Sequence, residues 1–288
     1  MSLIAAQTLV QEAQQQHYAI GHFNINGLDW ITTYLQVAQS TQTPLILATS
    51  DRLITDLGGF QYLSHTVRFL LQELHITVPI VLHLDHGLTK DHVLQAIDAG
   101  YTSVMFDGSQ LPIAENVALT QEIVHYAHAR NVSVEAEVGA VGGNEDGIIN
   151  GIQYASVQDA LKMKATGIDM LAAALGSVHG DYVGKPDLNF ARMQQIAQQT
   201  GLPLVLHGAS GIPPEQIQTA IKMGTAKINI NTEVNYAWLN AVRHKITTPD
   251  VGHEPMPVLQ AGRQGIKSLV TQKFTEFHVL GKAADKGV

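Results

Sequence analysis

Leu82-His83-Leu84-Asp85-His86-Gly87 is an apolar run that stops abruptly on a histidine and a glycine. Two later segments stop the same way: Gly176-Ser177-Val178-His179-Gly180 and Leu206-His207-Gly208-Ala209-Ser210-Gly211. A parallel strand buried on both faces reads as a near-continuous apolar run, so each segment is expected to deliver an imidazole to the rim of a sheet. Three such strand ends suit one metal ion, with His86, His179 and His207 as its ligands.

Similar runs recur along the chain at a regular beat. Strands are expected near residues 18–23, 44–49, 79–84, 102–106, 132–137, 169–175, 203–206 and 226–230. Between them, stretches such as 30–40, 92–99, 115–129, 157–165, 190–199 and 214–223 have the spacing of amphipathic helices. Eight alternating units predict an α/β fold, the (β/α)8 TIM barrel, with a short N-terminal helix and a C-terminal helical extension. The whole of 1–288 is read as one such domain, with a loop near 247–257 and a last helix over 258–277.

Alternation along the strands then predicts which residues face inward. Lys227, Asn229 and Asn231 share one face and Ile228 and Ile230 the other. Ser133, Glu135 and Glu137 oppose Val134, Ala136 and Val138, while Val81, His83 and Asp85 oppose Ile80, Leu82 and Leu84. The interior is therefore polar toward one end, which is where the catalytic groups of such barrels reside.

A chain of 288 residues that is 45% hydrophobic buries a substantial core. No Lys or Arg precedes Arg52, so a signal peptide's basic start is missing, and no apolar run is long enough to span a bilayer. The expected setting is cytoplasmic, without a membrane partner. A net charge of −8, with no basic stripe and only a short basic tail from Lys282 to Lys286, argues against nucleic acid as a partner. The absence of cysteine excludes thiolate chemistry and obliges any zinc to use histidine or carboxylate. Of the 14 histidines, those on expected helices and loops, such as His65, His92, His128 and His244, read as surface residues, and His83 reads as interior filling.

The segments LHLDHG (82–87), EAEVGAVGGNEDG (135–147), ALGSVHG (174–180), LVLHGASG (204–211) and KININTE (227–233) resemble, in order, the class II, metal-dependent fructose-bisphosphate aldolase family. The likeness runs from Tyr18 to about Trp238. It implies the same barrel, a zinc ion on His86, His179 and His207, and reversible cleavage of a ketose bisphosphate to dihydroxyacetone phosphate and an aldehyde. Such a cleavage leaves a carbanion next to a carbonyl, and a tri-histidine zinc with open positions is a suitable Lewis acid for it.

The resemblance also implies roles. Asp85 matches the base that takes the hydroxyl proton, although a carboxylate there would equally orient a histidine ligand. Residues 139–151 read as a glycine-hinged lid with an acidic tip, in which Glu145 matches the mobile acid/base and Asp146 is the competing candidate. Phosphate is expected at the last two strand ends, where Gly208, Ala209, Ser210, Asn229, Ile230, Asn231 and Thr232 resemble the family's dihydroxyacetone phosphate clasp. Gly180 belongs with them, and in the family these loops often bind a monovalent cation, Na+ or K+. Asn24 and Ser50 match polar substrate contacts. Asp107, Glu135 and Glu137 offer an alternative metal position, with Gln110 standing where relatives often have a histidine.

Two other chemistries compete. A Schiff-base aldolase would use the inward Lys227, and a zinc hydrolase would need a ligand pair that Gly21-His22-Phe23-Asn24 does not provide. Fructose 1,6-bisphosphate is the leading substrate, with tagatose 1,6-bisphosphate as a stereochemical variant. Residues 23–28, 50–53 and 227–233 also resemble the inositol-catabolic branch, which cleaves 6-phospho-5-dehydro-2-deoxygluconate. There Arg52 would grip the substrate carboxylate, unless it pairs locally with Asp51 or Asp56. A homodimer or higher homo-oligomer is expected, with Leu269, Val270 and Phe274 of the last helix available for docking; Arg263 reads as a surface arginine, with reach to a neighbouring subunit's phosphate site as the alternative.

Overall fold

The computed structural model describes residues 3–145, 148–248 and 252–283, with side chains left out for residues 144, 145 and 148–150. The strands are β1 (Ile20–Asn24), β2 (Leu45–Ser50), β3 (Ile80–Gly87), β4 (Ser103–Phe106), β5 (Ser133–Val138), β6 (Gly142–Glu145), β7 (Ile148–Asn150), β8 (Met170–Ala173), β9 (Val178–His179), β10 (Leu204–Leu206) and β11 (Thr225–Ile230). Eight of them close a parallel barrel in the order β1-β11-β10-β8-β5-β4-β3-β2. The helices are α1 (Ala6–Gln16), α2 (Leu28–Thr41), α3 (Phe60–Glu73), α4 (Lys90–Asp98), α5 (Ile113–His128), α6 (Val157–Lys164), α7 (Phe190–Thr200), α8 (Pro214–Lys222), α9 (Thr232–Ile246) and α10 (Pro255–Glu276). Each expected barrel strand is found, because every one combines an apolar run with a helical crossover that covers it.

Local chemistry sets the helix starts. Thr89, Ser156 and Asn189 accept from the backbone N–H groups of His92, Asp159 and Arg192, capping α4, α6 and α7. The backbone N–H of Gln7 in α1 donates to Ser133 Oγ, so α1 is fastened to β5. The interior holds His22, His83, Glu135 and Lys227, all fully buried. They are tolerated because most are paired: His83 Nδ1 meets Ser103 Oγ at 2.8 Å, and Lys227 Nζ lies 2.9 Å from Glu135 Oε2.

β11 ends at Ile230, as expected, and Asn231 is the residue that precedes α9. Two expectations change. The glycine-rich stretch near 139–151 includes a hairpin of β6 and β7, with β6 also paired in parallel to β9 in a separate three-stranded sheet. Val270 and Phe274 are fully buried in this chain's own core, where Phe274 packs edge-on against Phe23 of β1 with centroids 5.9 Å apart. They are therefore not free to dock a second copy, and deleting such a ring would cost about 3–5 kcal/mol of stability. No helix among the described residues is long and apolar enough to cross a membrane.

Candidate active site

In a regular strand Asp85 and His86 would face opposite sides of the barrel wall. The pairing of β3 with β4 shifts between Leu84 and Gly87, and His86 adopts a left-handed φ of 49°. This bulge swings the imidazole back over the barrel mouth beside Asp85. Gly87 is required next, because a Cβ there would run into the backbone oxygen of Met105.

His207 follows β10 directly. His179 is not on the barrel wall but on β9, beyond the end of β8. Gly208, with φ of 62°, keeps these two segments together, since a Cβ would strike the backbone of Val178. The three rings converge, with centroids of His86 and His207 4.7 Å apart and those of His179 5.2 and 5.9 Å from them. Their ligand nitrogens form one group within 4.8 Å.

Carboxylates fix the tautomers. Asp107 Oδ2 lies 2.8 Å from His86 Nδ1, and Glu135 Oε1 lies 2.8 Å from His207 Nε2. Burial alone would raise the Asp107 carboxyl, but its hydrogen bond to His86 and the His86 charge bring it to about 2. Burial would likewise raise Glu135; the Lys227 ammonium and the His207 hydrogen bond hold it well below the usual range. Both acceptors are thus ionised, so the outer ring nitrogens carry the protons. The inner pair, His86 Nε2 and His207 Nδ1, lie 3.0 Å apart. Burial lowers His207 to about 4, keeping its ring neutral so that Nδ1 offers a lone pair toward His86. The donor set therefore fits a divalent metal. His86, Asp107 and Glu137 form another such group, an alternative position for the ion. Glu135 is instead committed to His207 and Lys227.

Asp85 is 1% exposed and accepts from Asn24 Nδ2 at 2.9 Å, with Asn229 Nδ2 at 3.5 Å and His22 Nε2 at 3.5 Å. Burial would raise its carboxyl, yet the His22 and His86 charges hold it well below its ordinary value. A cavity of about 180 Å³ opens above it, lined by Asp85, Asn24, His179, Gly180, His207, Gly208, Ser210, Asn229, Asn231 and Thr232. Three expected substrate residues are absent from this lining. Ser50 is buried at the end of β2 opposite Asp85, and Ala209 and Ile230 are packed in the apolar core. The side chain of Glu145, and Asp146 altogether, lie outside the described residues, while the Glu145 backbone pairs with Ile148.

Several residues were not singled out from sequence. Asp51 starts the tight turn Asp51–Leu53 and accepts from Leu88 N at 2.8 Å while bonding His92 Nδ1 at 2.8 Å, so His92 is tied to the site rim. Tyr182 Oη donates to Gly208 O at 2.7 Å and accepts from Val178 N at 3.1 Å, joining the segments that carry His179 and His207. Only His22 left a signal, being a polar residue inside an apolar strand. Lys227 is inward, as read, but its ammonium is held by Glu135 and by Asn229 Oδ1 at 2.8 Å, away from the cavity lining.

A parallel barrel with a buried carboxylate beside three converging imidazoles at its C-terminal mouth defines a metal-dependent lyase or hydrolase of the TIM-barrel class. The model of the fructose-bisphosphate aldolase class-II family matches residues 4–282, and this chain belongs to that metal-dependent aldolase family. It is 53% identical over 285 residues to 6-phospho-5-dehydro-2-deoxy-D-gluconate aldolase of Bacillus licheniformis, covering 98% of this chain and 97% of that one. It is 47% identical over 286 residues to fructose-bisphosphate aldolase of Geobacillus stearothermophilus, covering 99% and 100%. Among solved structures, the YdjI aldolase of Escherichia coli K12 superposes with a TM-score of 0.86 at 32% identity, covering 98% and 100%.

Proposed function

We propose that this aldolase cleaves 6-phospho-5-dehydro-2-deoxy-D-gluconate to dihydroxyacetone phosphate and malonate semialdehyde. The observation that carries the choice is the 53% identity, over nearly the whole chain, to a relative bearing that name. It reverses the order in which sequence reading ranked the substrates. Fructose 1,6-bisphosphate stands second, supported by the Geobacillus relative.

The chemistry follows from the site. The phosphate end of the substrate lies over Gly180, Gly208, Ser210, Asn231 and Thr232, where the N-terminus of α9 favours an anion. Asp85, ionised and aimed by Asn24, takes the proton from the C3 hydroxyl as the C3–C4 bond breaks, and C3 leaves as the aldehyde. The electron pair of that bond passes to the C5 carbonyl. A zinc ion on His86, His179 and His207 would supply the Lewis acid that lowers the cost of that charge, and a monovalent cation would sit among the glycine loops. Glu145 on the hairpin then returns a proton to C4 of the three-carbon fragment.

Arg52 gives the reading its specificity. It lies in the turn after β2, and that turn is pinned to the segment after β3 by Asp51. A guanidinium at this rim suits the substrate carboxylate. Condensation assays test it: kcat/KM with malonate semialdehyde should exceed that with glyceraldehyde 3-phosphate, and Arg52→Ala should lower only the former. A preference for glyceraldehyde 3-phosphate overturns the assignment in favour of a sugar bisphosphate. The enzyme is further proposed to act as a cytoplasmic homo-oligomer, which light scattering at micromolar concentration would contradict by returning a monomer mass.

A further inference from the structure

Lys273 is a lysine in the middle of the last helix, α10, only 4% exposed, and the chemistry above makes no use of it. Its ammonium is 2.7 Å from Glu233 Oε2 and 3.1 Å from Glu276 Oε2. A buried ammonium is costly to desolvate and is retained only with good partners, so where its partners lead is informative. Glu233 is in the first turn of α9. Its other oxygen, Oε1, accepts from the backbone N–H of Gly211 at 2.6 Å, and its own N–H donates to Ser210 Oγ at 3.3 Å. Glu233 thus clasps the Ser210-Gly211 turn from both ends, and Lys273 holds the clasp from behind.

We propose that Lys273 is a positioning residue for the phosphate-binding turn, acting through Glu233. This inference rests on the assignment of the substrate phosphate to the turn containing Ser210. Two effects run in the same direction. Lys273 fixes the Glu233 carboxylate so that Gly211 keeps its acceptor, which holds Ser210 at the cavity wall. It also neutralises a carboxylate that would otherwise stand unpaired beside a bound phosphate and repel it. The C-terminal extension is then part of substrate affinity, although no residue of α10 lines the cavity. Removing the ammonium should weaken phosphate binding without disturbing Asp85 or the histidines, which lie on other elements.

The test uses the metal-loaded enzyme and inorganic phosphate as a competitive inhibitor against dihydroxyacetone phosphate. In Lys273→Met, the inhibition constant for phosphate and the KM for dihydroxyacetone phosphate should both rise about five- to tenfold, as expected for one lost charge-assisted contact. Metal content should equal that of the parent, kcat should stay within about twofold, and the KM for unphosphorylated dihydroxyacetone should not move. If Lys273→Met does not fold, Lys273→Met/Glu276→Leu, which leaves one fewer buried carboxylate unpaired, is read by the same criteria. An unchanged phosphate constant in the folded variant overturns the inference, as does an equal rise in KM for dihydroxyacetone, which would mean general damage. Ser210→Ala separates the two levels. If it weakens phosphate while the Lys273 variant does not, the positioning role alone fails; if it leaves phosphate binding unchanged, the phosphate assignment fails and the inference with it.

Discussion

Replacing Glu135 with Gln should separate what the buried carboxylate does for the metal from what it does for the fold. Glu135 is completely buried and divides its two oxygens between His207 Nε2 at 2.8 Å and Lys227 Nζ at 2.9 Å. Glutamine keeps the shape but removes the charge, which leaves the Lys227 ammonium buried against a neutral amide. Breaking one half of a buried pair costs about 3–5 kcal/mol. At about 2–4 °C per kcal/mol for a chain of this size, the melting temperature of the metal-free protein should fall by roughly 10 °C. The amide also ceases to impose the Nε2–H tautomer on His207, so Nδ1 no longer reliably offers its lone pair toward His86. Loss of such an outer partner lowers metal affinity about 10–100-fold. Calorimetry of the metal-free protein measures the first quantity, and competition with a fluorescent zinc chelator measures the second. Adding Lys227→Met to Glu135→Gln should recover most of the stability, because no ammonium is then stranded, yet leave zinc affinity low. Zinc affinity within twofold of the parent in Glu135→Gln would refute the argument, because it would mean that Glu135 serves Lys227 and not the ligand.

Asp85→Asn should retain its full metal content while cleavage falls about 10²–10⁴-fold, the usual worth of a positioned base; parallel metal analysis and steady-state rates check both halves. Glu145→Gln should slow hydrogen exchange between dihydroxyacetone phosphate and solvent, followed by NMR in heavy water, and a normal exchange rate would transfer the role to Asp146. Removing metal with a chelator should abolish activity and added zinc should restore it, while borohydride with substrate should leave no covalent adduct on Lys227, whose ammonium is committed to Glu135.

The barrel was legible in the order of residues because its cause is local. An apolar run bounded by an amphipathic helix has few ways to bury both of its faces, and eight such pairs in succession close on themselves. His86, Asp85 and His207 could be singled out for the same reason: each interrupts an apolar run where that run must stop. The polar inner faces of β5 and β11 likewise follow from period-two alternation through Glu135 and Lys227.

Tertiary structure decided the rest, since those features depend on partners far apart in sequence. Alternation alone sends Asp85 and His86 to opposite sides; the bulge against β4, with His86 left-handed, is what brings the His86 ring to the barrel mouth beside His207. His179 looks like the end of a barrel strand but belongs to a small sheet built with β6, a glycine-rich segment without strand propensity of its own. Val270 and Phe274 look available for a partner until α10 is folded back against β1, and it is the same fold that sets Lys273 behind Glu233. Sequence periodicity reports which face of an element is apolar, whereas which distant face it meets, and so whether a charge is solvent-exposed or buried beside a binding turn, is fixed only when the chain closes.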